Sequence, residues 1–231
     1  MSALAWGQMA VYFALLLLLA WPAGGWIARV LSGQSTWSTR LLAPIERWLY
    51  RAAGIDPAHE MVWYEYAGAL LMFSVAGIAL VYLMQRLQGW LPLDPHHLPG
   101  VPAPLAFNTA VSFVTNTNWQ AYSGEATLSN LTQAAGLTVQ NFVSAGCGIA
   151  VLAALIRGFA RRGVATIGNF WVDLVRATLH ILLPLASVLA LLLASQGVVQ
   201  TWAASRTVDV AAPVDGGPRT QTIALGPVAS Q

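Results

Sequence analysis

Four runs of this sequence, residues 1–28, 66–85, 126–156 and 177–205, carry no Asp, Glu, Lys or Arg. About 20 apolar residues cross a bilayer as a helix. An ionisable side chain at its centre costs about 2.5–3.5 kcal/mol. Charge-free runs of this length therefore mark four membrane-spanning helices, and the fold class they predict is an all-α integral membrane protein. Composition agrees: 57% of the residues are apolar and only 9% are charged, with a mean hydropathy of +0.61. So little charge cannot wet the surface of a soluble domain. It also excludes a disordered chain. A net charge of +2 gives no nucleic-acid surface, and the one cysteine, Cys147, can form no internal disulfide.

Tryptophan concentrates at the headgroup level of membranes. Trp6 and Trp26 bracket the first run, Trp63 and Trp90 the second, and Trp171 and Trp202 the fourth, with Trp119 as the exception. The first connection carries Arg29, Arg40, Arg47 and Arg51, and the third carries Arg157, Arg161, Arg162 and Arg176. Eight of the 11 basic residues, all arginine, thus share one side. The positive-inside bias makes that side cytoplasmic, with the amino terminus and the 87–130 connection outside. No basic residue precedes Arg29, so the first run lacks the charged start of a cleaved leader.

The 87–130 connection is too apolar for an ordinary loop. Pro92, Pro95, Pro99, Pro102 and Pro104 make five of the 12 prolines and predict an extended stem. LAFNTAVSFV (residues 105–114) follows, apolar but too short to cross, as a buried half-helix or re-entrant segment is. Pro104 suits its first turn. TNTNWQ (residues 115–120) comes next, where short polar side chains compete for backbone hydrogen bonds and stop the helix. Irregular backbone at membrane depth survives only inside protein or beside water. Its free carbonyls, with the negative end of the half-helix, can face a cation as a selectivity filter does. From the residues alone, a surface excursion with an amphipathic turn stays open as the alternative.

TNTNWQAYSGE (residues 115–125), GLTVQNF (136–142), WVDLVR (171–176) and the final GPVASQ (226–231) resemble the potassium-binding subunits of Kdp-type potassium-transporting ATPases. That resemblance implies a multi-pass subunit of a bacterial or archaeal plasma membrane, built on potassium-channel-like repeats of helix, pore loop and helix. It implies K+ as the transported ion, with no catalytic cofactor. Its partners would be a P-type ATPase catalytic subunit, an accessory subunit and a small single-span subunit.

On this pattern residues 1–28 are an extra amino-terminal helix and 29–65 a cytoplasmic connection. Residues 66–156 form one complete repeat with its pore loop at 101–125. Residues 157–176 form a second connection, and 177–231 begin another repeat that stops before its filter. Four loops close one filter in such a family, so the sequence reads as an amino-terminal fragment of a longer subunit. The resemblance carries ion lining to Asn116, Thr117, Asn118, Trp119 and Gln120, mostly through main-chain oxygens. A buried Trp119 indole is expected to hold the loop's shape.

Glu125 and Asp94 are the acids of the outer connection and could concentrate cations at a pore mouth. His96 and His97 read as exposed loop residues, His180 as interfacial packing near Arg176, and Pro184 as a helix kink. Ser144, Ala145, Gly146, Cys147, Gly148 and Ala150 give the third span a small-residue face for close helix packing. No phosphate loop, phosphorylation motif or metal-ligand cluster stands out, so ATP hydrolysis is expected in a partner. Two other functions compete: an intramembrane enzyme using Glu125 with His96 or His97, and a non-transporting scaffold built on the small-residue face.

Overall fold

A computed structural model of the chain describes residues 2–203, 205–209, 220–223 and 225–226. Among these, four helical stretches are long and apolar enough to cross a membrane: Leu4–Leu31, Trp63–Trp90, Thr132–Ala160 and Phe170–Ser195. The chain is mostly helical, as the charge-free runs require. The elements are α1 (Ala3–Leu31), α2 (Trp37–Ala53), α3 (Trp63–Leu87), α4 (Ala103–Val114), α5 (Gly124–Thr127), α6 (Val139–Ala160), α7 (Phe170–Arg176) and α8 (Leu183–Ser195).

Short strands add what periodicity does not announce. Met61–Val62 (β1) pairs antiparallel with Thr166–Gly168 (β2), tying the start of α3 to the start of α7. Arg206–Asp209 (β3) pairs with Thr220–Ile223 (β4) in a second ribbon.

Two spanning helices contain a wide π turn. Thr132–Thr138 precedes α6, and Ala177–Leu182 joins α7 to α8. The second lies directly before Pro184, which has no N–H to donate back to the turn. The expected disturbance at Pro184 therefore takes the form of a π turn upstream of it, the usual way a spanning helix absorbs an unpaired carbonyl.

Packing divides into two cores. One gathers Val81, Val101, Ala106, Ala110, Phe113, Leu128 and Leu137, and holds α4 against α3 and the third span. The other gathers Tyr66, Ala150, Ala154, Phe170 and Leu174, with Tyr66 edge-on to Phe170 at 5.5 Å. Neutral amides lock the stem to the end of α3. Gln85 Nε2 donates to the carbonyls of Val81 and Ala106. Gln88 Nε2 donates to those of Pro99 and Thr127, and its Oε1 accepts from Ser129 N–H. Both glutamines are fully buried. Gly146 explains the small-residue face: a Cβ there would meet Thr178 Oγ1 at 2.6 Å, whereas at Gly148 the space is open.

Candidate ion-binding loop

Pro102 caps α4, and Pro104 lies in its first turn, where a missing N–H costs nothing. The helix runs 12 residues to Val114 and stops where Thr and Asn begin. Its last carbonyls are taken up locally. Thr115 N–H donates to Val111 O at 3.0 Å, and Thr117 and Asn118 N–H both donate to Ser112 O, at 3.0 and 3.3 Å. The Thr115 and Thr117 hydroxyls add further bonds to the same turn.

Asn116 and Asn118 both have left-handed backbones, with φ of 57° and 55°. Asn tolerates this region because its short side chain bonds locally. Turning alternate residues left-handed redirects alternate peptide planes, so neighbouring carbonyls need not point to opposite sides as in an extended strand. Among the described residues, no hydrogen bond reaches the carbonyls of Asn116, Thr117 or Asn118.

The asparagine side chains fix the loop from the other direction. Asn118 Nδ2 donates to Asn141 Oδ1 at 2.9 Å, and Ser144 Oγ donates to Asn116 Oδ1 at 3.3 Å. Ser144 lies 12 residues beyond Thr132 and 16 before Ala160, the limits of the third spanning helix (144 − 132 and 160 − 144). The loop thus touches that helix near its middle, roughly 18 Å along its axis. Asn141, which the sequence reading left without a role of its own, and Ser144, which it placed on the small-residue packing face, both lie in this contact. The signal for Asn141 was the GLTVQNF segment, since a polar Asn has no place in a purely apolar span.

The five filter candidates do not behave as one set. Residues 115–120 are all exposed along this chain's surface. Trp119 is the correction: its side chain is 45% exposed and not buried. Its carbonyl turns inward to accept from the buried Ser112 hydroxyl at 2.9 Å. Gln120 lines a cavity of about 140 Å³ behind the loop with Phe113, Tyr122, Gln133 and Asn141. Burial pushes the Tyr122 phenol up to about 12, so the cavity keeps a neutral hydroxyl. Potassium is a hard cation held by oxygen dipoles. These neutral oxygens fit that chemistry.

Asp94 serves the stem, accepting from Leu98 N–H at 2.7 Å. His96 Nε2 receives a long 3.5 Å contact from Ser205 N–H in exposed surroundings, and His97 has a positive φ of 50°. The Glu125 side chain lies outside the described residues. No group of three metal-ligating side chains occurs among the described residues.

The arginine-rich end is built differently. Arg157 and the buried Asp173 form a two-pronged pair at 2.5 and 2.8 Å. Tyr66 Oη donates to Asp173 at 3.1 Å, and Arg157 also donates to the carbonyl of Leu31. His180 is more than interfacial packing. It is fully buried, and its Nε2 meets Glu46 of α2 at 3.1 Å. Tyr50 and Arg176 also bind Glu46, at 2.7 and 3.5 Å. The His180 hydrogen bond, opposed by burial and helped by Tyr50 and the Arg176 charge, holds the Glu46 carboxyl down at about 2.

The model of the family described as KdpA, potassium-transporting ATPase A subunit, matches residues 10–231. Similar proteins include potassium-transporting ATPase potassium-binding subunits from three bacteria. That of Bordetella pertussis is 53% identical over 249 residues, covering 97% of this chain and 42% of the relative. That of Methylorubrum extorquens is 55% identical over 226 residues, covering 98% and 39%. That of Methylibium petroleiphilum is 54% identical over 232 residues, covering 100% and 40%. The chain thus spans about two fifths of the length of these relatives. With a family match over nearly its whole length, the chain belongs to the KdpA family of potassium-transporting ATPase A subunits.

Proposed function

We propose that this chain forms part of the potassium-binding subunit of an ATP-driven potassium uptake pump, and that its 115–120 loop supplies one wall of the site holding the desolvated ion. The observation that carries this reading is the set of unpartnered carbonyls at Asn116, Thr117 and Asn118, brought to mid-helix depth by α4. Carbonyl oxygens there replace the ion's water, and the neutral Asn141 and Ser144 contacts keep them aimed. In this reading residues 66–156 are one helix, pore loop and helix unit. Residues 1–28 precede it, 29–65 and 157–176 are cytoplasmic connections, and 177–231 begin the next unit. The amino terminus faces outside a bacterial plasma membrane, and Glu125 stands near the pore mouth. ATP hydrolysis belongs to a P-type ATPase partner, and an accessory and a single-span subunit complete the pump.

The test is Gln120→Arg in the full-length subunit, expressed with its partners in cells lacking other potassium uptake. A fixed positive charge beside the loop raises the external potassium needed for half-maximal uptake by about 10-fold or more. An unchanged half-saturation point would remove the loop from the ion's path.

A further inference from the structure

We propose that the junction of α1 and α2 binds the phosphate of an anionic phospholipid from the leaflet that the arginine-rich connections face. The junction forms a half-open pocket of about 240 Å³ lined by Trp26, Arg29, Ser35, Thr36, Trp37 and Arg40. Trp26 and Trp37 stack almost parallel as one wall, with centroids 5.9 Å apart and planes 15° from parallel. The Trp26 Nε1 donor is buried, and no acceptor reaches it among the described residues. A buried donor without a partner is costly, and a phosphate oxygen would satisfy it once the stacked rings part to admit one. Arg40 Nε donates to Ser35 Oγ at 2.9 Å, which fixes its guanidinium beside the cavity. Arg29 enters from the last turn of α1.

The rest of α2 says which phosphate. Trp37, Leu41, Ile45 and Trp48 are all exposed, between 46% and 69%. Their spacing places them in one stripe along the helix. Arg40, Arg47 and Arg51 run along one flank of it. Glu46, the one acid of α2, lies on the opposite side and is already engaged by His180, Tyr50 and Arg176. The exposed side of α2 is therefore apolar with uncompensated positive charge at its edge, the pattern of a helix lying in a membrane interface. Basic pockets at the cytoplasmic ends of spanning helices suit anionic headgroups. A lipid uses the stripe and the cavity together, whereas free phosphate has no use for the stripe.

The test is native mass spectrometry of the intact pump complex, titrated with phosphatidylglycerol or phosphatidylcholine of the same chain length. Phosphatidylglycerol is expected to bind preferentially. Arg29→Gln with Arg40→Gln raises the concentration needed for the bound lipid by about 10-fold or more, and Arg29→Lys with Arg40→Lys restores most of the binding. Equal binding of the two lipids to the unaltered complex overturns the proposal, without relying on any variant folding. So does displacement of the lipid by millimolar inorganic phosphate, or undiminished lipid binding by the Gln variant.

Discussion

At the loop end of the molecule Asn116, Asn118, Asn141 and Ser144 meet through neutral hydrogen bonds. At the arginine-rich end the contacts are between ionisable groups: Arg157 pairs with Asp173, and Glu46 with Arg176 and His180. Both ends hold together helices that are distant in sequence, and the difference lies in what each must leave free. A full charge within a few ångströms of a desolvated cation would outweigh the dipoles that select it. On the proposed function, neutral side chains brace the loop without setting the energy of the ion it would hold. At the arginine-rich end, paired charges give more directional bonds per side chain, with bidentate arginine the strongest case.

The sharpest way to break this comparison is to remove one charge from the arginine-rich end. Asp173 is 2% exposed and its partner Arg157 only 18%. Asp173→Ala leaves a largely buried guanidinium without its paired carboxylate, at an expected cost of about 3–5 kcal/mol. Thermal unfolding of the full-length subunit in detergent, with the yield of folded protein, measures it. Replacing both partners with apolar residues, Arg157→Met with Asp173→Leu, should recover most of the loss. If the double variant is as poor as the single, the pair does more than neutralise itself.

Glu46 gives the next effect, through pH. Its folded-state carboxyl sits at about 2 against an ordinary 4.5. A carboxylate depressed on folding stabilises the fold above its unfolded value, and that contribution disappears as pH falls toward the folded value. The α2 clamp is thus at full strength above about 4.5 and is lost between about 4.5 and about 2. The expected share is about 2–3 kcal/mol, read as the difference in acid unfolding between the wild type and Glu46→Gln. A Gln variant with the same acid profile would show that Glu46 is not the group being titrated.

How far the sequence announced all this depends on the interaction. The spanning helices were legible because lipid penalises charge at every position. Helix α4 was legible because prolines bound one end and a Thr/Asn run the other. The ionic partnerships were not, because Glu46 and His180 are 134 residues apart and an acid in an amphipathic helix does not name its partner. Trp119 was misjudged for a local reason: its headgroup-breaking position suggested burial of the ring, but the loop's inward contact at this residue is made by its carbonyl. The strands β1 and β2 are too short to leave any period-2 pattern.

Helix packing between the two ends offers a smaller and more local test. Gly146 admits Thr178 and Leu174 so closely that a Cβ would meet the Thr178 hydroxyl at 2.6 Å, while Gly148, two residues on, faces open space. Gly146→Val should cost about 1–3 kcal/mol through forced repacking. Gly148→Val should fall within about 0.5 kcal/mol of the wild type in unfolding experiments. Equal costs would mean that the small-residue face acts as a whole and not through one contact.

A modest effect on stability, and the most telling test for the loop, is expected at Asn116. Its φ of 57° is left-handed, and its Oδ1 accepts from Ser144. Asn116→Gly keeps the backbone easy and loses only the side-chain bonds, that from Ser144 and a longer one from Asn118 Nδ2 at 3.5 Å. Asn116→Val loses the bonds and also forces a β-branched residue into a conformation it avoids, at about 1–2 kcal/mol. That strain can relax by rotating the very peptides whose carbonyls carry no partner. If those carbonyls hold the ion, potassium affinity of the full-length pump falls by about 3-fold for the Gly variant and about 10-fold or more for the Val variant, with unfolding shifted by no more than the strain. Isothermal titration with potassium separates the two cases. An affinity that falls equally in both variants would mean that Ser144, and not the left-handed turn, keeps the oxygens in place.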